Sequence, residues 1–284
     1  MTRVGALGIG GTNFHYAVGT STGEVVGDIH SEATRADELA VQIREALAVL
    51  TQASDQPIDA IAVAAKGLVD RDRGMIELMD IHQGETIEEF PVVEVIKDVC
   101  NLPIYLENDC IAGALAEYHL GAGTRSDSLV HVTMGTGIGA GVIDRGHVVR
   151  GASHFAGEVG GIQVGPPDGL EWCDIPGAWE AYCSGPGIAE YVSEQVAEHG
   201  AETRLSAAIE AADPTPAIDE AAATGDPLAE RCLDDIARMN AIGLATVANV
   251  FDPGLITLGE GGASNHPQFI LEGVCEHLPE YLIQ

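Results

Sequence analysis

Short apolar runs punctuated by glycine open the chain, and apolar residues at helical spacing follow them. Residues 4–9 read as a buried strand, Gly10-Gly11-Thr12-Asn13 as a tight turn, and residues 14–18 as a returning strand. Ser21-Thr22-Gly23 turns the chain into a third strand around Val25 and Val26. Thr34 then stands as a helix N-cap, with Asp37 and Glu38 in the first turn, where carboxylates oppose the helix dipole. Leu39, Ile43, Leu47 and Leu50 recur on one face of that helix and mark a core-facing stripe. Residues 58–65 form another buried strand, ending at Lys66-Gly67. A helix is expected over 88–99, Pro91 being tolerable near its start. A short strand over 103–106 runs into Glu107-Asn108-Asp109, and a helix from about residue 110 to residue 120 follows.

Residues 129–134 are an apolar strand, Gly135-Thr136-Gly137-Ile138-Gly139-Ala140-Gly141 follows, and alternation resumes through Val142 and Ile143. The remainder is mostly helical, with helices expected over 187–198 and 204–223. A long helix over 227–251 carries Leu233, Ile236, Leu244, Val247 and Val250 inward. Asp252-Pro253 ends it, residues 255–258 form a strand, Gly259-Glu260-Gly261-Gly262 makes a third glycine turn, and a helix near 269–278 follows. Strand, glycine turn and strand at 4–18 thus recur at 129–143. The repeat predicts a duplicated α/β architecture, with a smaller domain over 1–110 and a larger one over 111–284. Their glycine turns would then oppose each other across a cleft.

Composition narrows the class. The 284 residues, 46% of them hydrophobic, suffice for a substantial core, and no apolar run reaches the roughly 18 residues of a membrane span. No basic segment precedes an apolar one at the N-terminus, so no signal peptide is expected and the cytoplasm is the expected location. Acidic residues number 44 against 13 basic, a formal net charge of −31, and Lys66 and Lys97 are the only lysines. So anionic a surface repels nucleic acid and acidic membranes. Acidic residues dispersed along the chain, with lysine depleted, resemble the pattern of halophilic proteins from cells that accumulate molar salt. Six cysteines without a CxxC spacing are expected as free thiols.

The glycine turns carry candidate chemistry. Four glycines in the seven residues from Gly135, held between two strands, let backbone N–H groups approach an anion closely. A glycine-rich hairpin with no ligand is the alternative. Gly157-Glu158 sets a carboxylate in a glycine-rich loop. Polar Glu107-Asn108-Asp109, at the carboxyl end of a strand and just before a helix, stands where open α/β sheets place ligand contacts. Asp109 stands where an aspartate would cap the helix from residue 110. No Gly-Lys-Ser/Thr exists, which excludes a Walker A loop. A dinucleotide fingerprint at residues 135–141 is excluded too, because Val142-Ile143 continues as strand where that motif needs a helix.

Together the motifs resemble the ROK family of sugar kinases, glucokinase-like members of the actin, hexokinase and chaperone superfamily. The resemblance spans nearly the whole chain. Ile9-Gly10-Gly11-Thr12 is similar to the family's first phosphate loop, and Gly135-Thr136-Gly137 opens a segment similar to the second. Glu107-Asn108-Asp109 resembles the acceptor-and-base motif, Ala156-Gly157-Glu158-Val159-Gly160 the sugar-binding segment, and Gly259-Glu260-Gly261-Gly262 the adenosine segment. The resemblance implies a two-domain actin-like (ribonuclease H-like) ATPase fold with mixed sheets and an interdomain cleft. It also implies ATP- and Mg²⁺-dependent phosphorylation of a hexose hydroxyl, commonly O6. Asp109 would be the catalytic base, and Asn108, Glu158, Glu180 and Gly67 would lie on the sugar side. Gly10, Gly11, Thr12, Gly135, Thr136, Gly137, Gly261 and Gly262 would meet ATP and its phosphates. Relatives are commonly homodimers or homotetramers.

Departures from the pattern matter as much. Gly8 stands where the family carries an aspartate that organises Mg²⁺, and Lys66 where relatives carry a proline. Gly161 replaces a zinc-binding histidine, and of three zinc-binding cysteines only Cys173 remains, so no metal site is expected. These losses leave open a catalytically weakened or non-catalytic sugar-sensing protein of the same fold. The charge pattern makes a separate prediction. Self-repulsion is screened at short Debye length, so the melting temperature should rise steeply between dilute buffer and molar KCl. A melting temperature that is flat across that range contradicts the salt-adapted reading.

Overall fold

The computed structural model describes residues 2–53, 56–81, 85–199, 203–205, 214–259 and 267–283. The chain divides into two compact units, Met1–Thr124 with Arg150–Ala156, and Arg125–Val149 with Gly157–Gln284. A division at residue 110 would fall just inside the helix Asp109–Leu120, whose residues all belong to the first unit.

In the first unit a five-stranded sheet has the order β3-β2-β1-β4-β8. Its strands are β1 (Arg3–Ile9), β2 (Asn13–Thr20), β3 (Val25–Ala33), β4 (Ala60–Ala65) and β8 (Ile104–Asn108). β1 runs antiparallel to β2 and parallel to β4, and β4 runs parallel to β8. Leu7, Ile9 and Phe14 are buried with Leu39, Ile43, Leu47 and Leu50 of helix α1 (Leu39–Ala53), the stripe read from the sequence. Each such side chain contributes about 1.5–3 kcal/mol on burial. The register matters most for function. Ile9 pairs with Ala65, and Ala65 with Asn108, so three strands end in one row. Gly10, Lys66 and Asp109 therefore leave the sheet side by side.

Two expectations for this unit need correction. Thr34 does not cap a helix: a 3₁₀ turn over Ala36–Glu38 comes first, and the Thr34 hydroxyl donates instead to Gly10 O at 2.6 Å. The helix expected over 88–99 begins only at Val92, as α2 (Val92–Lys97). The residues before it form β7 (Thr86–Phe90), the edge of a three-stranded antiparallel sheet with β5 (Leu68–Asp70) and β6 (Met75–Asp80). Pro91 disfavours helical backbone at Phe90, and Ile87 turns inward while Glu88 pairs with Leu78.

The second unit repeats the scheme of the first. Its sheet, β11-β10-β9-β14, comprises β9 (Leu129–Met134), β10 (Ile138–Asp144), β11 (His147–Val148) and β14 (Leu255–Gly259). β9 is antiparallel to β10 and parallel to β14, as β1 is to β2 and β4. Against it pack α3's successors in the chain: α4 (Trp179–Cys183), α5 (Gly185–His199), α6 (Thr215–Ala223) and α7 (Pro227–Phe251), α3 being Asp109–Leu120. Buried Trp179 donates its Nε1–H to Asn240 Oδ1 at 2.8 Å. The helix expected over 204–223 is described only as α6, and residues 206–213 lie outside the described residues. On α7, Ile236, Leu244 and Val247 are buried and Leu233 partly so, but Val250 is 67% exposed. At 100° per residue it shares the helical face of buried Cys232, five turns earlier, so its exposure reflects its place one residue before the end of the helix rather than its angle. Among the described residues no helix is long and apolar enough to cross a membrane.

Candidate active site

The first turn is closed by its own backbone. Gly10 N–H donates to Asn13 O at 3.0 Å, and Thr34 straps the turn with its hydroxyl on Gly10 O and its N–H on Thr12 O. Gly10 N–H is therefore spent, whereas among the described residues the N–H groups of Gly11 and Thr12 donate to nothing. Gly11 has no room for a side chain: a Cβ would stand 2.6 Å from Asp80 O and 3.3 Å from Lys66 Nζ. Gly8 differs, since a Cβ there would meet His15 at an ordinary 3.7 Å.

Asn108 ends β8 and caps α3. Its Oδ1 accepts from Ile111 N–H at 3.1 Å and its Nδ2 donates to Gly67 O at 3.1 Å. Gly67 sits at φ 87°, and a Cβ would run into Leu78 O, so only glycine serves there. The cap is thus Asn108 rather than Asp109. What Asn108 can still offer a hydroxyl is one N–H of its amide and one Oδ1 lone pair.

Asp109 is half-buried, and its Oδ1 accepts from Cys110 N–H at 2.9 Å. Burial pushes its proton affinity above the ordinary aspartate range, while hydrogen bonds from Cys110 and the charge of Lys66 oppose the shift. Glu107, mostly buried, accepts from Arg150 Nη2 at 2.7 Å and pairs with Arg71 Nη1 at 3.3 Å. Arg71 also donates from Nε to Leu106 O at 3.0 Å, which ties the β5–β6 turn to the end of β8. Neither arginine was singled out from the sequence. The scarcity of basic residues was the one available signal, and it does not say where they point.

In the second unit, Gly135 N–H donates to Gly137 O at 3.0 Å and Gly135 O accepts from Gly185 N–H at 2.8 Å. Glu180 completes this turn: its Oε2 accepts from Ile138 N–H at 2.6 Å. A Cβ on Gly137 or on Gly160 would stand 3.0 or 2.9 Å from the same oxygen. Glu180, expected on the sugar side, here braces the second glycine turn. Among the described residues Thr136 and Gly137 N–H donate to nothing, and Thr136 is exposed. Gly157, at φ 103°, leaves no room for a Cβ beside Ala140 O, and its carbonyl accepts from Ala140 N–H at 2.8 Å. Exposed Glu158 follows, opening the 3₁₀ turn Val159–Gly161. Gly261 and Gly262 lie outside the described residues.

The zinc site of the resemblance does not fit these residues. Ile175 Cδ1 stands 3.2 Å and Trp172 Cζ3 3.9 Å from where a Gly161 Cβ would be, so apolar packing fills that position. Cys173 lies exposed in the turn between β12 (Glu171–Trp172) and β13 (Ile175–Pro176). Among the described residues no three His, Cys, Asp or Glu side chains converge on a metal site.

Two units of repeated topology, with mixed sheets, define a two-domain actin-like fold. The chain belongs to the ROK family, whose profile matches residues 4–284. It is 29% identical over 286 residues to a glucokinase of Halalkalibacterium halodurans, covering 97% of this chain and 84% of that protein. A ROK family glucokinase from Streptomyces griseus, solved with glucose and AMPPNP, superposes with a TM-score of 0.79 at 29% identity, covering 100% of this chain and 90% of the other. A xylose repressor of Caldicellulosiruptor bescii is 28% identical over 225 residues, 79% of this chain and 54% of that protein.

Replacing Asn108 by alanine removes both the cap and the Gly67 tie, and should lower unfolding free energy by about 1–2 kcal/mol. Asn108→Ser restores an N-cap oxygen and should recover about half. Denaturant titration checks this, and equal stability of the alanine variant and wild type contradicts it.

Proposed function

We propose that the chain is an ATP-dependent sugar kinase that phosphorylates a hexose hydroxyl, O6, with Asp109 as general base. One observation carries the reading: the row Ile9, Ala65, Asn108 brings the first glycine turn and Asp109 to the same edge of one sheet. Oδ1 of Asp109 is held by Cys110 N–H, which leaves Oδ2 to accept the proton of the attacking hydroxyl. As that proton leaves, the sugar oxygen bonds to the terminal phosphorus of ATP, the bond from phosphorus to the bridging oxygen breaks, and ADP departs. Its raised proton affinity suits Asp109 to general-base work better than an ordinary aspartate. Gly11 and Thr12 in one unit, and Thr136 and Gly137 in the other, carry N–H groups suited to phosphate oxygens. Mg²⁺ carried by ATP would offset phosphate charge, although Gly8 gives it no carboxylate at the first turn. Asn108, Glu158 and Glu180 are the sugar-side groups of this reading, which extends to a cytoplasmic, salt-adapted homodimer or homotetramer.

Gly8 also favours a second reading, a protein that binds sugar and does not turn it over. Sugar binding with no ADP release, in wild type and in Gly8→Asp, would support it.

Asp109→Asn separates base from scaffold. Its ADP release with ATP, hexose and Mg²⁺ at molar KCl should fall by roughly 10²–10⁴-fold. A buried carboxyl with raised proton affinity is favourable when protonated and costs stability once ionised, as pH rises through its folded value. The variant should therefore melt no lower than wild type at neutral pH, its advantage shrinking toward acid. Wild-type kcat/KM should fall on acidification through a limb above the ordinary aspartate range. Undiminished turnover in Asp109→Asn excludes Asp109 as the base.

A further inference from the structure

Lys66 is the unusual residue at this edge. Its N–H donates to Ile9 O at 2.8 Å, extending the β1–β4 ladder by one residue and holding its backbone beside Gly10. The side chain then runs along Gly11: Nζ and Cδ stand 3.3 and 3.4 Å from where a Gly11 Cβ would be. Its charge also reaches Asp109. The ammonium group thus lies near both the turn suited to phosphate and the carboxylate suited to the hydroxyl proton.

Its company is as informative as its place. In a chain with 44 acidic and 13 basic residues, a cation is expected to find a carboxylate, as Arg71 and Arg150 do on Glu107. Among the described residues Lys66 Nζ makes no hydrogen bond and no ion pair within 4.0 Å, and it is half-buried. Lys97, the other lysine, is exposed on α2. Gly8, two residues before the turn, adds no carboxylate that would bind this ammonium. A net charge of −31 makes a nucleotide polyanion an unfavourable guest, so a local cation is needed where its phosphates dock.

We propose that Lys66 binds the terminal phosphoryl group of ATP at the Gly10–Thr12 turn and stays with it as the group passes to the sugar. The assignment rests on the kinase reading above. A lysine ammonium is a mobile point charge with three donors, able to follow a phosphoryl group as its oxygens spread charge in the transition state. In this chain it supplies positive charge at the turn where Gly8 provides no protein ligand for a metal ion.

The test compares nucleotides that differ by the terminal phosphoryl group. Calorimetric affinities for ADP and for a non-hydrolysable ATP analogue are measured at one fixed KCl concentration on wild type, Lys66→Met, Lys66→Gln and Lys66→Arg. Lys66→Met and Lys66→Gln should lose affinity for the analogue by about 10- to 100-fold, the span of one charge-assisted hydrogen bond, and keep ADP affinity within about threefold. Lys66→Arg should retain most of the analogue affinity, and kcat should fall in the order wild type, Arg, Gln and Met. Equal losses for both nucleotides, or none, overturn the assignment while leaving the kinase reading intact. Failure of wild type to bind either nucleotide overturns both.

Discussion

In the first unit, the sheet edge that carries Gly10 and Asp109 depends on one side chain that does two jobs. Asn108 accepts from Ile111 N–H to start a helix and donates to Gly67 O to hold the end of β4 against the end of β8. Neither bond is large, and each contributes about 1 kcal/mol net. Their value lies in position. Because both ends of the amide are committed, the next residue, Asp109, leaves the sheet in one direction, with Oδ1 already on Cys110 N–H. Gly67 completes the arrangement, since any side chain there would collide with Leu78 O. Asp109 is thus placed by backbone geometry and a neutral amide, with no ion pair among the described residues.

Charge is the second constraint. A chain carrying −31 has few cations to spend, and the site takes several of them. Arg71 and Arg150 neutralise Glu107, which removes one carboxylate's repulsion from the neighbourhood of Asp109 and fixes the β5–β6 turn. Lys66 remains unspent among the described residues. The second unit manages differently: Glu180 accepts from Ile138 N–H, so a carboxylate stiffens a glycine turn whose Thr136 and Gly137 N–H groups donate to nothing among the described residues. A turn with its own hydrogen bonds already made costs little reorganisation when an anion arrives.

What could be read from the sequence was local in origin. The two strand–glycine–strand units, the stripe from Leu39 to Leu50 and the long helix Pro227–Phe251 each declare themselves within a dozen or so neighbouring residues, and each is present. Local propensity misled where pairing decided: Glu88 and Glu89 favour helix, but Ile87 and Glu88 pair with β6 and Pro91 holds Phe90 extended. Thr34 looked like a cap and instead straps a turn 24 residues earlier. The contacts around the glycine turns and Asp109 join residues far apart: Glu180 to Ile138, Glu107 to Arg150, Lys66 to Gly11. No periodicity carries such information. Gly161 was legible as a lost ligand, but its replacement by Ile175 and Trp172 packing was not.

Phosphorus NMR on wild-type protein with ATP, Mg²⁺ and a panel of hexoses at molar KCl addresses the central claim most directly. The account predicts a sugar phosphate monoester resonance that grows in step with ADP, one for one, for at least one hexose. ATP left unchanged in the presence of a hexose that binds, or converted to ADP and inorganic phosphate alone, would contradict it.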